Sequence, residues 1–397
     1  MRKRVLVVMP EAPYPPRKNG VALRYYPLLQ RLGAIFEIDL AVVVDGEAIS
    51  VELGGLRQLL HHVVLLRRRA VKPSPFRKLL AHLHRIVPGG VPFAYYDYGA
   101  AGIARQLRPV LSDDYDAVLW VALSHVLYSC LPYLASQRLI VDCIDSPTLH
   151  CIRSLPPANI IDRLVIDKTR RWEAAMVSRA DVAFYISPVD RGEVKDLVRS
   201  SDVKISPNGV LIEDYTDEKA PLHSPSLGFL GNMSYRPNID AVHRLLGIFI
   251  KLRVKFPDLS LYIIGRDPDP ALLKYAEIPG VVITGTVDNI WPYVNAVSVF
   301  AMPMVMGAGQ QNKILEVMFA GRPIVASSIA NGGILAVDGQ SILVADNDEV
   351  MQEKISSLLE DDEKRELIGK RGAKFVREKY SWDEIAQQIA VAISPED

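Results

Sequence analysis

The sequence predicts an α/β protein made of two doubly wound, Rossmann-like domains. Three observations carry this. The chain has 397 residues, too many for one ordinary domain and enough for two. Short apolar segments alternate with helical ones in two successive runs, as in parallel sheets covered by helices. A polar, proline-containing stretch at 213–225, EDYTDEKAPLHSP, separates the runs.

The elements follow in order. The first strand is expected at 4–9. A proline-rich loop ending in Asn19-Gly20 leads to a helix over about 21–32, with Leu23, Tyr26, Leu29 and Leu32 at helical spacing. IDLAVVV at 38–44 is the second strand, and its unbroken apolar run suits a strand buried on both faces. Further strands are expected at 63–66, 117–122, 139–144, 182–187 and 203–207. Beyond the linker come a strand at 227–231, a helix over about 239–256, and strands at 261–265, 281–285, 297–303, 323–327 and 341–344. Residues 348–393 read as helical, with one break at Tyr380-Ser381-Trp382. Doubly wound sheets bind ligands at the carboxyl ends of their strands. Two such domains facing each other would share one cleft.

Composition narrows the class. Hydrophobic residues at 49% and charged residues at 23% match a soluble globular protein. Basic and acidic residues balance at 46 each, so charge gives no support for nucleic acid as a partner. The charge is uneven locally. No acidic residue stands between Glu52 and Asp97, where Arg57, Arg67, Arg68, Arg69, Lys72, Arg77, Lys78 and Arg85 fall. Within that stretch, 75–87 (PFRKLLAHLHRIV) places Phe76, Leu79, Leu80, Leu83 and Ile86 at helical spacing. This is either a core-packing helix with a solvated basic face or a basic amphipathic helix that lies on a membrane. The three cysteines, Cys130, Cys143 and Cys151, lack metal-ligand spacing and suit a reducing compartment. The opening MRKRVLVVMP is too short in its apolar part for a signal peptide, and no apolar window is long enough to span a bilayer. A cytoplasmic protein is expected.

The chemistry concentrates in 307–327, GAGQQNKILEVMFAGRPIVAS. Gly307 and Gly309 permit a tight turn and close backbone approach. A helix is expected to open near Gln311 and to stop before Gly321, suited to the C′ position. The first turn of such a helix leaves N–H groups unpaired at its positive end, a site for a diphosphate. Lys313 adds a point charge there. Glu316, about one turn on, could accept two hydrogen bonds from a ribose diol, as the acidic residue of dinucleotide-binding domains does. Spacing alone fits equally an ordinary amphipathic helix with Glu316 on its surface. Cys143, Trp120 and Trp291 read as packing residues rather than as a nucleophile or sugar platforms.

The same stretch resembles the donor-binding segment of the large retaining glycosyltransferase family of GT-B fold, family 4. It is similar to the bacterial exopolysaccharide-associated branch, with its pattern G-x-QNK-x-LE-x-M-x-x-G-x-P-V-V. LIVDCIDSPTLH (139–150), RWEAAMVSRADVAFYISPVDR (171–191) and ISPNGVLIEDY (205–215) resemble that branch in order and spacing. So do GFLGNMSYRPNIDAV (228–242), LYIIGRDPDP (261–270) and GVVITGTVDNIWPYVNAVSVFAMP (280–303). Each is weak singly, and the ordered set is specific. The terminal EKYSWDEIAQQI resembles the helix that crosses back onto the N-terminal domain in this fold. The resemblance implies an acceptor-binding domain over 1–218, rejoined by about 381–397, and a donor-binding domain over 219–380.

The resemblance further implies transfer of a sugar from a UDP- or GDP-linked donor to a hydroxyl, with retention by front-face attack and with no metal or other cofactor. The acceptor would be a sugar, a lipid-linked molecule or a small molecule. Many relatives act on lipid-linked acceptors, so 75–87 is expected to touch the inner face of the cytoplasmic membrane. By the same resemblance Glu316 holds the nucleotide ribose, and the backbone at Gly309, Gln311, Asn312 and Ile314 holds the diphosphate. Gly20, preceded by Asn19, lies against the donor phosphate. Gly231 belongs to the donor loop, and Val287 falls where the base is contacted. Arg236 and Lys313 neutralise the leaving diphosphate.

This sequence departs from the pattern in three places. Ala308 stands where the first of two loop glutamates is usual. Arg236 has no lysine close behind it, and Lys313 is the substitute. Asp145 stands near the place of a histidine after the fifth strand, with His125 as an outside alternative. Asp145 either enters the site or starts the turn at Ser146-Pro147, whereas Asp142, inside the strand, reads as structural. Two other readings stay open: a nucleotide-sugar epimerase of the same fold, and a non-catalytic partner subunit. The absence of G-x-G-x-x-G after the first strand argues against a dehydrogenase.

Overall fold

The structure, a computed structural model, describes residues 2–16, 18–46, 50–69, 90–134, 137–155, 159–198, 202–210, 212, 214–306 and 310–395. Gly309 and the basic segment 75–87 lie outside the described residues. The chain divides into two units, Met1–Pro207 with Trp382–Asp397, and Asn208–Ser381.

The first unit holds a seven-stranded sheet of order β3-β2-β1-β4-β5-β6-β7, in which every pairing is parallel. Its strands are β1 (Arg4–Met9), β2 (Glu37–Asp45), β3 (Leu60–Arg68), β4 (Ala117–Val121), β5 (Leu139–Ile144), β6 (Val182–Tyr185) and β7 (Asp202–Ile205). The order reverses between β1 and β4, which makes their carboxyl ends the topological switch point. Strand β3 is longer than its apolar core suggests. It is an edge strand, so the exposed His61 and His62 are tolerated at its start.

Helix α1 (Gly20–Ile35) buries Tyr25, Leu28, Leu29 and Leu32 against β1 and β2. The last helix, Trp382–Ile393, packs Trp382, Ile385 and Ile389 into the same cluster, and the C-terminal segment clusters with this unit. Other helices that matter below are α2 (Ala100–Leu111), α3 (His125–Cys130), α4 (Pro147–Ser154), α5 (Ile160–Val177) and α6 (Pro188–Gly192).

The second unit holds a six-stranded parallel sheet of order β10-β9-β8-β11-β12-β13. Its strands are β8 (Ser226–Leu230), β9 (Ser260–Ile264), β10 (Val281–Gly285), β11 (Val299–Met302), β12 (Ile324–Ala326) and β13 (Leu343–Val344). Its switch point lies between β8 and β11. Helix α7 (Arg236–Lys255) follows β8, and α8 (Asn312–Phe319) follows β11. Gly321 adopts φ +68 just past α8, the left-handed C-terminal glycine the sequence predicts.

Two expectations need correction. The boundary falls at 207/208 rather than 218, because the segment after it is bonded to the second unit. Val210 N–H donates to Tyr380 O at 3.1 Å, and Asn295 Nδ2 donates to Thr216 O at 2.6 Å. The C-terminal helical region has a second break, at Asp361. That residue ends one helix and caps the next, its carboxylate accepting from Lys364 N–H at 2.9 Å.

Candidate active site

In the second unit, α7 and α8 both begin beside the switch point. Lys313, in the first turn of α8, donates through Nζ to Asn238 Oδ1 in the first turn of α7. Asn238 Nδ2 in turn donates to Asn232 O at 2.8 Å in the loop after β8. Lys313 Nζ also sits 4.9 Å from the centre of the Phe229 ring and 3.7 Å from Met304 Sδ. No carboxylate among the described residues pairs with it, and burial pushes its ammonium down to about 7. The first N–H groups of α8 have no intrahelical acceptor, and Gln311 makes no side-chain cap. Asn312 Oδ1 is buried without a hydrogen-bond partner. An anion entering here would meet a lysine and a helix N-terminus together.

The expected donor residues distribute as follows. Gly231 is required by packing: a Cβ there would lie 2.7 Å from Asn238 Nδ2, and one on Gly265 would overlap the Gly231 carbonyl. Its absence of a side chain therefore lets Asn238 reach Lys313. Glu316 is buried, at 9% exposure, on α8. Val287 is half-buried in the loop after β10. Ile314 departs from expectation. Its side chain is in the core and its N–H is already given to Gln311 O at 2.9 Å, which leaves Asn312 and Lys313 as the first-turn donors. Arg236 is mostly exposed and paired to Asp240 at 2.9 Å, one turn along α7. The structure brings Gly231 and Lys313 onto Asn238 and leaves Arg236 in a separate surface pair. Sequence reasoning missed Asn238, since an asparagine in the first turn of a helix ordinarily reads as a capping residue.

In the first unit, Asn19 is the N-cap of α1. Its side chain accepts from Ala22 N–H at 2.9 Å, and its amide donates to Glu11 at 2.7 Å. Gly20 opens the helix, and a Cβ added there would meet nothing within 4 Å. Asp142 is fully buried in β5, where Arg24 Nε donates to it at 2.7 Å and Tyr25 Oη at 2.6 Å. Arg24 also donates to Pro207 O at 2.9 Å and to Ser206 Oγ at 3.0 Å. This network was absent from the sequence reading. Its signal was available: Arg24 occupies a helical position whose i+4 neighbour, Leu28, is buried, opposite an aspartate inside an apolar strand.

Strand β5 ends at Ile144, which adopts φ +64, a left-handed conformation strained for a β-branched residue. The strand therefore does not stay regular up to Asp145. The turn-starting reading of Asp145 is corrected. Ser146 caps α4, its hydroxyl accepting from Leu149 N–H at 3.1 Å, and among the described residues no hydrogen bond engages the Asp145 carboxylate. Asp145 is accessible to solvent but closely surrounded by protein. Its carboxyl is pushed up to about 6, first by loss of hydration and next by the charge of Asp190, with Arg24 and Arg153 pulling the other way.

His125 sits elsewhere, at the start of α3. Its Nδ1 accepts from Asp97 N–H at 3.1 Å, and its ring lies 4.8 Å from that of Tyr96. Both rings line a cavity of about 460 Å³ at the carboxyl ends of β1 and β4, bounded also by Tyr95, Tyr98 and Trp120. Asp145 is not among the lining residues of that cavity. Cys143 is buried, and desolvation raises its thiol pKa, as suits a core residue. Trp120 and Trp291 are buried as expected of packing residues.

Residues 224–361 match the family described as Glycosyl transferases group 1. A phosphatidyl-myo-inositol mannosyltransferase of Mycolicibacterium smegmatis is 27% identical over 218 residues, which cover 51% of this chain and 56% of that protein. The protein of the same description from Mycobacterium leprae is 27% identical over 230 residues, 55% of this chain and 59% of that one. The match thus spans little more than half the length of these relatives. Among solved structures, sucrose-phosphate synthase from Thermosynechococcus elongatus superposes with a TM-score of 0.68 at 13% identity, covering 98% of each chain. Anabaena HepE in complex with UDP and glucose gives 0.62 at 14% identity, covering 98% of this chain and 99% of that one. The chain is a GT-B-fold protein whose residues 224–361 match the glycosyl transferases group 1 family.

Proposed function

We propose that this protein is a glycosyltransferase that moves a sugar from a nucleoside-diphosphate donor to a hydroxyl acceptor with retention of configuration. The observation that carries the reading is the Lys313–Asn238 pair at the β8/β11 switch point of a unit that matches group 1 glycosyl transferases. The leaving diphosphate is the natural anion for that place. Lys313 and the first turn of α8 stabilise the charge that develops on it, and they are already oriented before reaction. Glu316 holds the ribose and Val287 borders the base. On this reading no protein nucleophile is needed, because a donor phosphate oxygen takes the acceptor proton. No metal is needed either, because the lysine and the helix terminus neutralise the diphosphate.

UDP is the first donor nucleotide to test, since HepE, a protein of the same fold, has been solved with UDP and glucose. The acceptor is proposed to belong to polysaccharide or glycolipid synthesis. The two mannosyltransferase relatives favour the lipid-linked alternative. The reaction would then occur at the inner membrane face; among the described residues no helix is long and apolar enough to cross a membrane. The deciding experiment is a thermal-shift screen with UDP-, GDP-, ADP- and TDP-sugars, followed by product analysis with and without EDTA. Stabilisation by one nucleotide class and EDTA-resistant transfer are expected. A donor sugar that is epimerised without transfer, or bound and never turned over, would replace this reading by one of its alternatives.

A further inference from the structure

A second concave surface of the first unit adjoins the aromatic cavity. It is a groove of about 720 Å³ between the end of β3 and the start of α2, lined by Leu65, Arg67, Arg69, Tyr98, Arg105, Gln106 and two glycines, Gly99 and Gly102. Arg69, Tyr98 and Gly99 line both spaces, so the two are continuous. Among the described residues, three arginines and no acidic residue line the groove. Among the described residues none of the three has an acidic partner, while Arg68, at the end of the strand, is ion-paired with Asp45 at 3.5 Å and Asp97 at 3.3 Å.

Local structure holds this arrangement in place. Gln106 grips the edge strand at both backbone groups of Arg67, accepting from its N–H at 3.1 Å and donating to its carbonyl at 3.0 Å. That fixes the spacing between Arg67 on β3 and Arg105 on α2. Helix α2 starts at the groove, where Asp97 accepts from Gly99 N–H at 2.7 Å, so the positive field in the groove comes from the arginines. A Cβ on Gly102 would meet nothing within 4 Å, so the groove is open at the helix surface. Guanidinium groups bind phosphate in a planar, two-pronged geometry, and several arginines around one concavity are a phosphate-binding arrangement.

We propose that this groove binds a phosphate group carried by the acceptor, and that the uncharged part next to the phosphate lies in the aromatic cavity against Tyr96 and His125. This deepens the proposed function and rests on it only in calling the ligand an acceptor. The ligand class is a phosphate ester, either a soluble one or a lipid headgroup.

The test uses the full chain with excess UDP. Phenyl phosphate is titrated by calorimetry, with benzyl alcohol as the uncharged comparator. Flotation is run in parallel with phosphatidylcholine vesicles with and without phosphatidylglycerol. Arg69→Ala, Arg105→Ala and Gly102→Glu are compared with wild type, the last placing a side chain and a negative charge in the groove from an exposed helix position. Saturable binding of phenyl phosphate that weakens at least tenfold in each variant, at unchanged melting temperature, supports a soluble phosphate ester. Binding only to the anionic vesicles, lost in the same variants, supports a lipid headgroup. Absence of binding to both probes, or equal binding by wild type and variants, overturns the proposal. A chain that ignores UDP yet binds phenyl phosphate through these arginines would remove the proposed donor and keep the groove as a phosphate site.

Discussion

Lys313 donates through Nζ to Asn238 Oδ1, joining the first turns of the two helices that flank the switch point of the second sheet. Burial holds this lysine at about 7, against 10.5 for an ordinary one. Between those values the unfolded chain binds the proton and the folded chain does not. Lys313 therefore costs stability below pH 7, and the cost fades as the pH rises towards 10.5. A bound diphosphate favours the charged form. Binding above pH 7 must then take up a proton, and donor affinity falls between pH 7 and 9. Calorimetry with UDP at pH 8, in two buffers of different ionisation heat, should show proton uptake that vanishes in Lys313→Met. Equal heats in the two buffers would take Lys313 out of the diphosphate site.

Glu316 offers a separate test of the donor site. Glu316→Gln replaces one carboxylate acceptor by an amide donor, and charge-assisted bonds to a ribose diol weaken. UDP binding should lose about 1–3 kcal/mol. The protein should still melt cooperatively, since the replacement has nearly the same shape. Undiminished UDP affinity in a folded variant would exclude the ribose role.

Gly20 separates a ligand requirement from a folding one. A methyl group there meets open space in the first unit. Gly20→Ala should leave stability unchanged or raise it by up to about 1 kcal/mol, through the unfolded chain. If the backbone at Gly20 lies against donor phosphate, the same substitution should lower transfer at least tenfold. Wild-type transfer by Gly20→Ala would show that only the helix start needs this glycine.

The sheets, their parallel order and helix α8 were legible because unbroken apolar runs and glycine punctuation are local signals. The residues that organise the site were less so. Asn238 acts across 75 positions of sequence to hold Lys313, and nothing at position 238 encodes that distance. Arg236 was singled out for its charge, but charge without burial leaves it paired with Asp240 on the surface. Arg24 lies 118 positions from Asp142. Each half of that pair carries its own anomaly, a charge among apolar neighbours, and only the fold shows that the two anomalies cancel.

That pair predicts a stability cycle. Arg24→Met leaves the buried Asp142 carboxylate with only the Tyr25 hydroxyl and the Ile144 N–H as donors and no opposite charge, and should cost about 3–5 kcal/mol. Tyr25→Phe removes one hydrogen bond and should cost about 1–3 kcal/mol. The double change Arg24→Met with Asp142→Leu should recover much of the single loss, because it removes both charges. Urea unfolding of the set measures this. Additive losses in the double variant would mean that the two side chains are not energetically coupled.

Asp145 carries the last prediction. Its folded-state pKa of about 6 lies above the ordinary 3.8. Between those values the folded chain holds a proton that the unfolded chain has released. The charged carboxylate is therefore unfavourable to folding above pH 6, and that penalty disappears as the pH falls towards 4. Asp145→Asn, which cannot ionise, should melt higher than wild type at pH 7.5 and together with it at pH 4. If the carboxylate accepts a hydrogen bond from the acceptor or the donor sugar, the same variant should lose at least tenfold in transfer, about 1.4 kcal/mol in the barrier. UDP affinity should not change if, as proposed, the nucleotide is held by the second unit. The combination matters: a more stable protein with normal nucleotide binding and impaired transfer is the signature of a carboxylate kept at a cost for chemistry. A variant that gains stability at pH 7.5 and transfers sugar at the wild-type rate would leave Asp145 as a poorly hydrated carboxylate without a part in transfer, and the search for the sugar contact would move to His125.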